Sequence, residues 1–129
     1  MKYNNSDEII RDMTRVYERM NEDEEVKEIL NTIGSLKLHI NYTDLDEWVT
    51  QSIENGKISL LKGKVGDAPV SEQISTATFL DIFSGKVEPP EAAMAGKINF
   101  EGDFSRMLVL QPLLGKTKDA FIELVLKQK

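Results

Sequence analysis

A chain of 129 residues fits one domain, and 40% hydrophobic with 29% charged residues is the composition of a folded globule, not of a disordered or fibrous segment. Sixteen Lys and Arg against twenty-two Asp and Glu leave a formal charge of -6, a poor match to the counterion release that drives binding to phosphate backbones, so no nucleic acid partner is expected. The absence of Cys excludes disulfides, thiolate nucleophiles and Cys-based metal sites, and a single His excludes most His-rich ones.

Residues 1–33 carry five basic and nine acidic side chains. Ile9, Ile10, Met13, Val16, Tyr17 and Met20 form the stripe of an amphipathic helix that Asn5 or Ser6 can cap. A second stripe, Val26, Ile29, Leu30 and Ile33, follows Asn21 with Glu24 three residues on, a capping pattern, and ends at Gly34. The acidic run Glu22 to Glu25 falls in the first turn of that helix, where the helix dipole favours carboxylates.

From Leu36 the period becomes two: Leu36, Leu38, Ile40 and Tyr42 alternate with Lys37, His39 and Asn41, a half-buried strand with His39 on its wet side. Segments 47–54 and 57–62 flank Asn55-Gly56, which tolerates the positive φ angles of a type I′ hairpin turn. A weaker strand, 70–75, follows Pro69, and in it Glu72 alternates in phase with Val70 and Ile74. Ser75 or Thr76 opens a helix with Phe79, Leu80, Ile82 and Phe83 that stops at Gly85, and Pro89-Pro90 starts a short turn through Ala92, Ala93 and Met94. Alternation returns at Ile98 and Phe100. Asp103 can cap a helix over 104–114 that Pro112 should shorten, and a last helix, 117–127, carries Ala120, Phe121, Leu124 and Val125 on one face.

This order predicts one α+β domain over 1–129, a mixed, mostly antiparallel five-stranded sheet covered by helices on its apolar face. The helical link 76–95 is long enough to be a crossover between parallel neighbours.

No pair of carboxylates has a spacing that singles it out for acid–base work, and Gly96, Lys97 and Gly102 do not match a phosphate loop. What remains is apolar: Phe79, Phe83, Met94, Phe100, Phe104, Met107, Leu108, Phe121 and Leu124. Such a set is ordinarily a solid core, and it also suits a deformable cavity because Met repacks around different guests. Composition leaves both open.

Two local motifs narrow the choice. Phe79-Leu80 with Ser84-Gly85-Lys86 and Pro89, then Gly96-Lys97-Ile98, Gly102-Asp103, Met107, Leu108, Leu110 and Gln111, together resemble the sterol carrier protein type 2 family. The Trp48 strand and the Asn55-Gly56 hairpin occupy corresponding upstream positions. The resemblance implies an apolar tunnel under a helix-covered sheet that takes fatty acids, fatty acyl-CoA, sterols or other lipids. It also implies a non-enzymatic carrier without cofactor or metal, meeting a membrane or acyl donor transiently. Met94, Phe100, Phe104, Met107, Leu108 and Gln111 are the wall residues it carries over. Where family members place an inward apolar residue on the fourth strand, this chain has Glu72, which either reaches a polar tunnel mouth and meets a cation or a ligand head group or lies solvated on an irregular edge; the solvated edge is the expectation.

The start lacks an apolar signal core, and the tail Leu126-Lys127-Gln128-Lys129 is not a Ser-Lys-Leu peroxisomal address, so a cytoplasmic, stand-alone, prokaryotic-like relative is expected. The rival expectation is an interaction module with a filled core, binding a protein partner or itself through an exposed last helix.

Overall fold

A computed structural model describes residues 1–127; the tail residues Gln128 and Lys129 lie outside the described residues. Two helices, α1 (Ser6–Asn21) and α2 (Glu24–Ile33), precede β1 (Leu36–Tyr42), β2 (Glu47–Glu54), β3 (Lys57–Lys62) and β4 (Val70–Ile74). Then come α3 (Thr76–Phe83), α4 (Pro89–Met94), β5 (Ile98–Gly102), α5 (Ser105–Leu108) and α6 (Gln111–Phe121), which runs into a π-helical turn, Ile122–Leu126.

Local chemistry explains most boundaries. Asn5 caps α1 by accepting the Glu8 N–H at 3.0 Å. The second helix is capped by Asp23, which accepts from Glu25 and Val26, and not by Asn21 as the sequence pattern suggests. Asn21 serves another element: its amide donates to the Ile58 carbonyl and accepts from the Ile58 N–H, both at 3.0 Å, which satisfies the free edge of β3. Asn55 and Gly56 both have positive φ, 54° and 73°, as the hairpin turn requires.

The strand order is β3-β2-β1-β4-β5, antiparallel except for the β1–β4 pair. The expected crossover at 76–95 is therefore corrected. Strands β4 and β5, which it joins, are antiparallel, with Ile74 opposite Ile98. Gly85 (φ 87°) and Pro89 turn the chain back, so α3 and α4 return it to the end of the sheet it left. The parallel pair is connected instead through the β2–β3 hairpin and segment 63–69. That segment lies on the sheet face away from the helices, where the Thr50 hydroxyl donates to the Gly63 carbonyl (2.7 Å) and accepts the Val65 N–H (2.9 Å).

Near the end of the chain the break falls at 109–110, not between 114 and 117 as the expected helix bounds imply. Pro112 has no N–H to donate and its ring would collide with the carbonyl four residues back, so the helix expected over 104–114 splits into α5 and α6. Gly115 stays helical inside α6. The last helix is not a spare surface: Ala120, Phe121 and Val125 are buried.

The N-terminal segment is fastened to the same core. The Tyr3 hydroxyl donates to buried Asp12 at 2.8 Å, and the Ser6 N–H donates to Glu47 at 2.6 Å. Lys116 on α6 pairs with Asp23 (3.0 Å) and Glu25 (3.4 Å), tying the last long helix to the start of α2. Its ammonium holds the Asp23 carboxyl below the usual carboxylate range.

Candidate functional site

Strand alternation and register fix one wall. Among the side chains that face the helices, at alternate positions, are Leu38, Ile40 and Tyr42 on β1, Gln51 on β2, Ile58 and Leu60 on β3, Glu72 and Ile74 on β4, and Ile98 and Phe100 on β5. All of them line a recess of about 620 Å³ between the sheet and the helices. The opposite wall comes from Met13 and Tyr17 on α1, from α3 and α4, and from the segment running through α5 into α6. It is a recess with an open side, since Phe104 and Leu108, two of its lining residues, are about half exposed (50% and 47%).

Of the residues singled out in the sequence, Phe79, Phe83, Phe100, Phe104, Met107, Leu108 and Gln111 line this recess. The aromatic ones pack in pairs, Phe79 with Phe83 at 4.9 Å and Phe100 with Phe104 at 5.2 Å between ring centres. Three lie elsewhere. Met94 is 90% exposed: the short α4 buries Ala92 and turns Ala93 to the recess, which leaves the next side chain in solvent. Phe121 is fully buried behind the wall, its ring 5.9 Å from Phe79 and 6.1 Å from Phe83. Leu124 sits in the π-helical turn, packed on the core and not on the recess. Helical periodicity separates apolar from polar faces, but it does not tell a residue touching a space from one that backs it.

The sequence reading missed Met13, Tyr17 and Gln51 as lining groups, and of the two places it allowed Glu72 it favoured the wrong one. The signal for Gln51 and Glu72 was present: each is a polar side chain in phase with inward apolar neighbours. Glu72 is not on a solvated edge. Its strand is hydrogen-bonded on both sides, with Ile40 opposite on β1 and Phe100 opposite on β5. Its residual exposure is to the recess it lines.

Burial pushes the Glu72 carboxyl up to about 7, and no neighbouring cation or hydrogen bond offsets that burial. The Tyr17 hydroxyl accepts a hydrogen bond from the Gln51 amide at 2.8 Å. Burial pushes Tyr17 up to about 12, opposed by the Gln51 hydrogen bond and aided by a smaller push from the Glu72 charge; Tyr42 is raised well above its ordinary value, again first by burial. The polar side chains of the lining thus include the Glu72 carboxyl and the Gln51 amide on the sheet and the Tyr17 phenol on α1, with Tyr42, Glu88, Gln111, Thr117 and Lys118 also on it. Among the described residues no three acidic or imidazole side chains converge where a metal ion could sit, and no helix is long and apolar enough to cross a membrane. His39, on the far face of the sheet, lies 3.4 Å from the Val65 carbonyl and outside the recess.

Comparison with known proteins gives this geometry a lineage. Hydroxysteroid dehydrogenase-like protein 2 of Xenopus laevis is 27% identical over 108 residues, which cover 83% of this chain and 25% of that protein. The chain therefore spans a quarter of the length of that relative. Among solved structures, a UbiJ-SCP2 ubiquinone synthesis protein superposes with a TM-score of 0.67 at 11% identity, covering 93% of this chain and 95% of the other. Sterol carrier protein 2 from Yarrowia lipolytica, in its apo form, does so with a TM-score of 0.62 at 16% identity, covering 86% and 90%. At these identities the likeness is one of fold. The profile of the SCP-2 sterol transfer family matches residues 14–115, from the middle of α1 into α6 and across the whole sheet. The chain belongs to that family.

Proposed function

We propose that this protein holds one apolar lipid per chain in the recess and hands it on without covalent chemistry. The ligand is a fatty acid, a fatty acyl-CoA or another elongated apolar lipid, and loading takes place in transient contact with a membrane or an acyl donor. The observation that carries this reading is the recess itself. Its volume of about 620 Å³ falls within the roughly 300–1,000 Å³ typical of small-molecule sites, and apolar side chains dominate its lining. Transfer of each methylene from water into such a lining gains about 0.8 kcal/mol. A dozen methylenes thus gain roughly 10 kcal/mol before the cost of immobilising the chain. No reactive side chain is needed for that. Membership in the SCP-2 sterol transfer family supports the same reading. A filled-core interaction module fits less well, because the described atoms leave space where that reading requires packing, and the apolar face of the last helix, Ala120, Phe121 and Val125, is already buried in the core.

The test is titration with a long-chain fluorescent probe bearing an uncharged head, followed by displacement with unlabelled lipids. Saturable binding near one probe per chain is expected. No saturable binding, with the fold intact by circular dichroism, would remove the carrier reading.

A further inference from the structure

Glu72 breaks the chemistry of its own wall. It stands on a strand paired on both sides, between Ile40 and Phe100 in the ladder, and its carboxyl lies in an apolar recess. Among the described residues no cation and no hydrogen-bond donor meets it. A carboxyl turned into an apolar recess with no protein partner is costly to ionise, and the cost is removed most directly by a donor that arrives with the guest. Nearby polar groups fit the same guest. The Tyr17 oxygen already accepts from Gln51, which leaves the phenol proton to be donated, and the Gln51 amide oxygen is a further acceptor.

We propose that the recess selects its lipid by head group: a hydroxyl or a protonated amine that donates to Glu72 is accepted at that depth, and a carboxylate is not. This rests on the carrier reading and narrows it. A carboxylate placed beside Glu72 would set a second anion against a desolvated acid, with no cation between them. A fatty acid can therefore enter only tail first, its head left at the rim. There Lys118 on α6 lines the recess and is half-buried. A hydroxyl-bearing lipid is under no such restriction, and it can donate to Glu72 while accepting from Tyr17. The arrangement depends on a single acidic residue at an inward position of β4.

Dodecanol, dodecylamine and dodecanoate share one chain length and differ only in the head, so competition against the uncharged probe at pH 8 isolates the head-group term. Wild-type protein is expected to bind the alcohol and the amine at least tenfold more tightly than the carboxylate. In Glu72→Leu the carboxylate should gain and the amine should lose, bringing the three affinities within about threefold of one another. Glu72→Gln, which keeps size and polarity, should retain the alcohol and lose the amine. Equal binding of all three heads by the wild type, or an unchanged ranking in Glu72→Leu, overturns the proposal while leaving the carrier reading in place. If the uncharged probe itself does not bind the folded wild-type protein, both fall together.

Discussion

The helices cover the two ends of the sheet differently. Over β2 and β3, α1 lies directly on the strands, and Ile9 and Val16 have no exposed surface. Beyond β1, toward β4 and β5, the chain from α3 to α6 stands away from the sheet, and Phe104 and Leu108 remain about half exposed beside the recess. Both ends use the same period-two alternation below and the same kind of apolar residue above. The difference lies in what the helices are fastened to. Helix α1 is held to the sheet by the Ser6–Glu47 and Gln51–Tyr17 bonds, whereas α6 packs against α1 and is tied to α2 through Lys116, so it is positioned without resting on β4 and β5. The recess reaches under α1 as far as Gln51, Ile58 and Leu60, and it opens where α6 is anchored to its neighbours and not to the strands beneath it.

The sharpest way to break this comparison is to delete volume at the packed end. Ile9→Ala should cost about 2–5 kcal/mol in chemical denaturation, because the surrounding core relaxes only partly around the lost atoms. It should leave lipid affinity unchanged in the fraction that remains folded. A cost under 1 kcal/mol would mean that this end is as loose as the other.

Glu72 provides the next largest effect, with a definite sign. Its carboxyl is raised from an ordinary 4.5 to about 7, so between those values the folded protein holds a proton that the unfolded chain has released. Stability is therefore undiminished by this group near pH 4 and is lost progressively as the pH rises through 7. The other titratable groups lining the recess are Tyr17 on α1, Tyr42 on β1, Glu88 just before α4 and Lys118 on α6. Tyr17 and Tyr42 are both raised, and so remain neutral throughout this window. Glu72→Gln should be more stable than wild type by on the order of 1–3 kcal/mol at pH 8, and equal to it near pH 4. A variant that is less stable at pH 8 would show that the carboxylate has a favourable partner.

Adding volume at the open end should do little to the fold. Met107→Trp places a larger ring in the recess, so thermal stability should change by less than about 1 kcal/mol while long-chain affinity falls at least tenfold. Destabilisation by ~1–3 kcal/mol in the ligand-free protein is the signature of close packing and would erase the contrast between the two ends. The smallest effect belongs to the outer sheet face. His39→Ala should alter stability by less than about 0.5 kcal/mol and leave binding untouched. A tenfold loss of affinity there would mean that β1 presents its other face to the ligand.

These contrasts also show how far the sequence could be read. Elements with a local cause were legible: Asn55-Gly56 fixes its hairpin through backbone conformations that few other pairs tolerate, and Asn5 caps α1 through an oxygen three residues from its donor. The site was legible as a set of apolar residues but not as a surface. Met94 and Ala93 are adjacent in a short turn, and which of them meets the recess depends on the angle at which α4 docks. Phe121 and Phe79 touch each other, yet only Phe79 reaches the space. Glu72 was misplaced because a weak strand beside Pro69 reads as an edge, while its true neighbours, β1 and β5, are brought to it by chain segments far away in sequence. Tertiary pairing, not local propensity, decides whether a carboxyl on a strand is wet or buried.

The five methionines permit a direct test of where a lipid sits. Met13 and Met107 line the recess, whereas Met94 is exposed away from it. With the methionine methyl groups isotopically labelled, titration with dodecanol followed by nuclear magnetic resonance should shift the Met13 and Met107 signals saturably, at one ligand per chain, and leave Met94 in place. Saturation without movement at Met13 and Met107, or movement confined to Met94, would contradict the claim that the recess under the sheet is the binding site.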